Sequence, residues 1–193
     1  MVDDLKKQQQ AIADEIEAID SVLRTKIDPS LLPAPVPGVL AWPTISGAPI
    51  TQGYGNTKFA ETGYRSHWHN GVDIGIPIGT PVFAAQDGTV VASANQDLYC
   101  YHGAYGQFVA IDGTDNLSTV YGHLSLRIVK KGDTVKRGQL IGYSGKTGYA
   151  TGPHLHFGVF AGPTFYIGPS KTCGPAEPYG GDLNPLSYLP TTH

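Results

Sequence analysis

RSHWHNGVDIG, residues 65–75, places His69 and Asp73 around Asn70, Gly71 and Val72. Whether those two side chains can reach one point decides how the chain is read. In an extended strand, residues four apart share a face but lie roughly 13 Å from each other, too far to share an ion with ligand bonds of roughly 2 Å. A helix would bring them together, yet two glycines, two β-branched residues and nearby Pro77 make a poor helix. Asn70-Gly71 is a strong turn signal, so a tight loop is expected to fold Asp73 back towards His69. An imidazole and a carboxylate then converge, and the nearest good source of a third ligand is far downstream at His154-Leu155-His156.

Working outward, 193 residues suffice for one domain with a proper core and a small appendage. The formal net charge is -3 and the Lys and Arg residues are scattered, so no basic stripe points to nucleic acid. No apolar run approaches the roughly 20 residues of a membrane span. Twenty-five Gly and 15 Pro, with charged residues at 15%, fit a turn-rich β protein. Candidate strands are Pro81–Phe83, Gly88–Ala92, Phe108–Ile111, Ser118–Tyr121, Gln139–Tyr143 and Leu155–Phe160. Turns such as Gln86-Asp87-Gly88, Asp112-Gly113 and Lys131-Gly132-Asp133 separate them, with no alternating helices. The expectation is an all-β, antiparallel domain over residues 42–193.

Residues 1–27 differ in character. Val2, Leu5, Ile12, Ile16, Ile19 and Leu23 recur at alternating three- and four-residue steps, with Gln9 in the one missing place. This predicts a short coiled-coil-like α-helix with a narrow apolar seam. It either packs on its own domain or ends a longer coiled coil, offering a helical partner or self-association through residues 1–27. Four prolines in DPSLLPAPVP, Asp28–Pro37, predict a stiff extended linker over 28–41. Met1-Val2-Asp3-Asp4 opens no secretory signal. Either the protein acts where it is made, or it is a soluble piece of a longer exported protein, which the early coiled-coil phase favours; an extracytoplasmic setting is expected.

The seven histidines are 67, 69, 102, 123, 154, 156 and 193. His154 and His156, two apart on a predicted strand, point to one face roughly 7 Å apart. One can bind a metal while the other stands over whatever the metal binds. His156 with His69 and Asp73 makes two imidazoles and a carboxylate, the ligand chemistry of a catalytic zinc with a fourth position for water. Peptide hydrolysis also needs proton handling. The chain has no HExxH, and its four glutamates, at 15, 17, 61 and 177, adjoin no histidine motif. His123 and His154 remain as candidate bases. His67 and His102 read as solvated.

Seven segments taken in order resemble the lysostaphin/LytM-type zinc metallopeptidases. They are Gln52–Gly55 (QGYG), His69–Ile74 (HNGVDI), Gly79–Val82 (GTPV), Gly88–Val90 (GTV), Tyr121–Ser125 (YGHLS), Gly132–Val135 (GDTV) and Gly152–Phe157 (GPHLHF). The resemblance runs from about Trp42 to Pro185. It implies a β-sheet groove with one Zn2+ held by His69, Asp73 and His156, and catalytic roles for His123 and His154. It further implies cleavage of peptide cross-links or stem peptides of bacterial peptidoglycan. Some members of that family have lost their zinc ligands and activate other wall hydrolases, often through a coiled coil, so a non-catalytic regulator is the alternative reading. Gly132–Gln139 also looks like the repeat of biotinyl or lipoyl carrier domains, but the Met-Lys or Asp-Lys carrier turn is missing.

Two stretches depart from a compact family member: Asn95–Tyr105, read as an enlarged loop, and Ala161–Gly180, read as a long excursion. Each carries one of the two cysteines, and a Cys100–Cys173 disulfide is expected to pin them together beside the groove. Tyr54, Tyr64, Trp68, Tyr101, Tyr105, Tyr143 and Tyr149 are candidates to line a peptide groove.

Overall fold

The computed structural model describes residues 2–63 and 66–191, leaving the side chain of Val2 aside. Tyr64 and His193 lie outside the described residues. In chain order the strands are β1 (Ile50–Gln52), β2 (Val72–Ile74), β3 (Pro81–Phe83), β4 (Gly88–Asn95), β5 (Gln107–Gly113), β6 (Leu117–Gly122), β7 (Leu124–Arg127), β8 (Thr134–Val135), β9 (Leu140–Ser144), β10 (Leu155–Ala161), β11 (Tyr166–Ser170), β12 (Gly174–Tyr179) and β13 (Asp182–Leu183). The helices are α1 (Val2–Arg24) and the short α2 (Lys58–Gly63). The strand pairings are antiparallel. The main sheet runs β1-β2-β10-β6-β5-β4-β8, with β13 also on β10; β3-β9-β7 and β11-β12 form smaller sheets.

Side-chain alternation divides the main sheet into two functional faces. Val72 and Ile74 of β2, Leu155, Phe157 and Val159 of β10, and Val109 and Ile111 of β5 meet Val82, Ile141 and Leu124 of the three-stranded sheet in the larger core. The opposite face carries Phe108, Ala110, Val120 and Phe160, covered by Ile167 and Ala176 of the β11-β12 hairpin and by Ile16 of α1. By the same alternation, Asp73 and His156 belong to this second face.

α1 packs on its own domain. Ile12 is 2% exposed and sits against Cys100 and Cys173, which form the expected disulfide. Arg24, at the other end of α1, pairs with Glu17 and with Asp182 of β13, and its guanidinium lies 4.7 Å from the Trp68 ring centre. The Pro-rich stretch that follows is not extended throughout: it opens with a 3-10 turn at Pro29–Leu31, turns again at Pro37-Gly38 and packs against the domain. Leu40 is buried in the larger core, and Gly38 and Leu40 donate their amides to Tyr188 O, both at 3.0 Å. The Ala161–Gly180 excursion is no open loop: it forms the β11-β12 hairpin.

Candidate metal centre and its flanking histidines

Strand register brings the site together. Asp73 on β2 stands directly opposite His156 on β10, and His156 stands opposite Gly122 on β6, the residue before His123. His69 is held beside β2 by a bridge to Gly55, and His154 by a bridge to Gly145. Asn70-Gly71 makes the bend the sequence called for, and His69 Nε2 lies 3.2 Å from Asp73 Oδ1. His156 Nδ1 is 3.1 Å from both His69 Nε2 and Asp73 Oδ1. All three residues are buried.

These distances carry chemical information. His69 donates Nδ1–H to Gly53 O at 2.7 Å, so its Nε2 presents a lone pair. That lone pair faces Asp73 Oδ1 and His156 Nδ1, three atoms within 3.2 Å of one another, an arrangement that needs a proton on His156 Nδ1 or a cation among them. A tetrahedral centre with bonds of about 2.0–2.1 Å places its ligand atoms about 3.3–3.4 Å apart, close to the triangle observed. A proton on His156 is the competing arrangement. Burial lowers the His156 pKa against the hydrogen bond with Asp73, which disfavours a second proton on the ring; the one N–H of the neutral ring sits on Nδ1 or on Nε2, and the Nε2–H tautomer is the one that leaves Nδ1 as a ligand atom. Burial alone would raise the Asp73 pKa, but His69 and His156 hold it well below the usual carboxylate range, as a ligand requires. The set therefore fits a single divalent cation of zinc type.

Two further histidines face this triangle. His123 donates Nδ1–H to Thr147 O at 2.8 Å, and its backbone adopts φ of 62° at the β6–β7 junction, a conformation rare outside glycine that turns the ring into the site. Burial, reinforced by His154 and His156, lowers its pKa to about 3, so the ring is neutral with an accepting Nε2. His154 donates Nδ1–H to Gly152 O at 2.9 Å and holds Nε2 3.6 Å from Asp73 Oδ1. The His123 and His154 ring centres are 4.6 Å apart. All five residues singled out from the sequence thus meet at one place.

Of the aromatic candidates, Trp68, Tyr105 and Tyr149 line the cavity that reaches His69, His123 and His156. Tyr54 supports Trp68 edge to face at 5.4 Å. Tyr101 is exposed and Tyr143 sits on β9 of the three-stranded sheet. His67 is exposed, and His102 stacks on Tyr101 at 3.9 Å, away from the site. Sequence reasoning missed the orienting carbonyls of Gly53, Thr147 and Gly152, because main-chain acceptors leave no residue-type signal. It also missed that Asn70 donates to Tyr105 OH at 2.7 Å and to Asp20 of α1 at 3.4 Å.

An antiparallel sheet that brings two imidazoles and one carboxylate together, with two more histidines alongside, defines the metallopeptidase class of site. The chain belongs to peptidase family M23, whose pattern matches residues 67–165. It is 49% identical over 89 residues to peptidoglycan DD-endopeptidase ShyA of Vibrio cholerae, covering 46% of this chain and 19% of that protein. A zinc-containing peptidase from Vibrio cholerae superposes with a TM-score of 0.55 at 37% identity, over 66% of this chain and 37% of the other. The catalytic domain of lysostaphin from Staphylococcus simulans superposes with a TM-score of 0.52 at 33% identity, over 67% of this chain and 88% of the other. The chain spans between about a fifth and a third of the length of the curated relatives it matches, from 19% to 31%. Among the described residues, no helix is long and apolar enough to cross a membrane.

Proposed function

We propose that this chain is a zinc-dependent endopeptidase that hydrolyses peptide bonds in the cross-links or stem peptides of bacterial peptidoglycan, with residues 42–193 as the catalytic unit. The observation that carries the reading is the triangle of His69, Asp73 and His156 with its two flanking histidines. One zinc per chain would be held by His69 Nε2, Asp73 Oδ1 and His156 Nδ1. The chemistry zinc supplies when bound is Lewis acidity, lowering the pKa of water towards about 7 and polarising a carbonyl.

The chain's own groups do the rest. Asp73 offsets positive charge in a buried site, and the Gly53 carbonyl fixes the His69 tautomer. His123 and His154, each with Nδ1–H committed to a main-chain carbonyl, keep Nε2 free to take up and return a proton. One receives the proton of the attacking water at Nε2 and, now an imidazolium, returns it to the departing amine; the other stabilises the oxyanion when its Nε2 carries a proton taken from solvent. Two relatives, ShyA and lysostaphin, carry names that concern peptidoglycan or antimicrobial peptidases, which supports the substrate class and an extracytoplasmic place of action.

The test is digestion of purified peptidoglycan with released fragments read by mass spectrometry, and with bound metal counted in the same sample. Zinc-dependent fragments that vanish on chelation and in His69→Ala are expected, and their masses name the bond. A zinc-loaded chain that releases nothing, even with α1 displaced, would replace this reading with that of a non-catalytic regulator.

A further inference from the structure

The two histidines that flank the triangle are both held by one connection, the loop from β9 to β10 that spans residues 145–154. Its first residue, Gly145, bridges to His154. Its third, Thr147, offers the carbonyl to which His123 donates Nδ1–H at 2.8 Å. A carbonyl can only accept, so the place of Thr147 O decides which ring nitrogen of His123 carries the proton and where the ring stands.

Gly145-Lys146-Thr147-Gly148 contains two glycines and no residue that would itself fix the chain. The loop is fixed from outside. Thr147 Oγ1 accepts from Gln107 N on β5 at 2.9 Å and donates to Leu124 O on β7 at 2.8 Å. One residue on, Gly148 N donates to both carboxylate oxygens of Asp97, each at 3.2 Å, and Tyr149 N donates to Ala104 O at 2.9 Å. Gly106 and Gly148 pass so closely that a Cβ on either would stand 2.3 Å from the amide nitrogen of the other. Asp97 and Ala104 lie on the Asn95–Tyr105 stretch by which the chain exceeds a compact domain. Asp97 is anchored within that stretch, its amide donating to Asn95 Oδ1 and its Oδ1 accepting from His102 N, both at 3.1 Å. Gly148 lies outside the strands, and its amide finds its acceptor in this half-buried carboxylate, a charge-assisted bond stronger than a neutral one.

We propose that Asp97 is a positioning residue for His123: from the enlarged loop it clamps Gly148, and so keeps the adjoining Thr147 carbonyl where it sets the tautomer and direction of the His123 ring. The inference rests on the peptidase reading given above and deepens it. It gives the Asn95–Tyr105 enlargement a part in proton handling and none in the metal triangle, whose Asp73 and His156 are held by the β2-β10-β6 ladder.

The experiment compares the zinc-loaded full chain with Asp97→Ala, Asp97→Ser and Asp97→Asn. Serine is too short to reach Gly148 yet keeps a polar group in the turn, and serves if alanine prevents folding. Asparagine keeps an accepting oxygen at the Oδ1 position, which already reaches both Gly148 N and His102 N. Ring 15N chemical shifts of His123, assigned with a His123→Gln sample, report the tautomer; bound zinc, melting temperature and fragment release from peptidoglycan are read alongside. The unaltered chain is expected to show His123 as the Nδ1–H form. Asp97→Ala and Asp97→Ser should show a mixture of tautomers and release fragments about 10–100-fold more slowly, with zinc still bound at one per chain. Asp97→Asn should restore both the tautomer and the rate. A lowered melting temperature with the Nδ1–H form intact in Asp97→Ala or Asp97→Ser would overturn the proposal, leaving Asp97 a stabiliser of its loop. A tautomer mixture in these variants, when the unaltered zinc-loaded chain itself releases no fragments, would keep the positioning role and remove the peptidase reading, so the two failures are told apart.

Discussion

At the scale of single residues, Gly71 shows how closely the site is packed. A Cβ built there would stand 2.6 Å from Phe157 O and 2.7 Å from His156 Nε2, contacts that no side chain sustains against main chain and a buried ring. Gly71→Ala therefore has to push His156 out of the triangle while leaving every ligand residue in the sequence. Loss of a well-oriented ligand environment typically costs about 10–100-fold in metal affinity. The expected outcome is a folded chain whose zinc dissociation constant rises by that order, measured by competition with a chromophoric chelator; unchanged affinity would show that His156 is not a ligand. The three residues of the triangle were legible in the sequence as candidate ligands because imidazole and carboxylate chemistry is carried by residue type, and Asn70-Gly71 announced the bend. The tautomers were not, because Gly53, Thr147 and Gly152 act through carbonyls that every residue possesses.

At the scale of elements, the six strands read from the sequence are all present, several extended by a residue or more at their ends. What escaped were short or proline-bearing strands. The β11-β12 hairpin contains Pro169, Pro175 and Pro178, which suppress a strand signal yet are tolerated in a two-stranded ribbon with free edges. For α1 the apolar seam was legible, but periodicity states only that a face is covered, not by what. The pH dependence of its docking follows from which carboxyl groups face Asp20. They are Glu17 on α1 itself, Asp182 on β13 and Glu177 on β12, with Tyr105 and the Asn70 amide completing its surroundings. Burial pushes Asp20 well up from 3.8, against the Gly180 hydrogen bond, so the docked helix binds more protons than the free one. Its contribution is full below about 3.8 and is lost as pH rises through the docked value. Glu15 runs the other way. Burial would raise its pKa, but the Lys171 amide and three hydroxyls hold it below 4.5, so its contribution is lost only in stronger acid. Acidification through the raised docked value of Asp20 is therefore expected to tighten α1, read as slower exchange of its amides after correction for intrinsic rates. Asp20→Asn should flatten that dependence, and a slope unaltered by the substitution would assign the effect to another group.

At the scale of the whole molecule, one covalent bond joins the two enlargements against which α1 packs. Cys100 and Cys173 are 73 residues apart, and closing a loop of that length removes unfolded-state entropy equivalent to about 4 kcal/mol at room temperature in the chain-entropy account. The metal triangle does not depend on it. Asp73 and His156 are held by the β2-β10-β6 ladder, and His69 by its bridge to Gly55, none of which involves either enlargement. Ile12, by contrast, rests on the sulfur pair, and Glu15 on Ser170, Lys171 and Thr172 just before Cys173. Opening the bond by a dithiol, or in Cys100→Ser/Cys173→Ser, should act unequally on the two halves of the molecule. The melting temperature falls and α1 amides exchange faster, while bound zinc stays at one per chain below the transition. Calorimetry, hydrogen exchange and metal counting on the same sample decide it. Zinc released together with α1 would mean that helix and site form one cooperative unit. Zinc retained under a loosened helix would mean that the fold keeps a rigid catalytic sheet apart from a separately anchored cover.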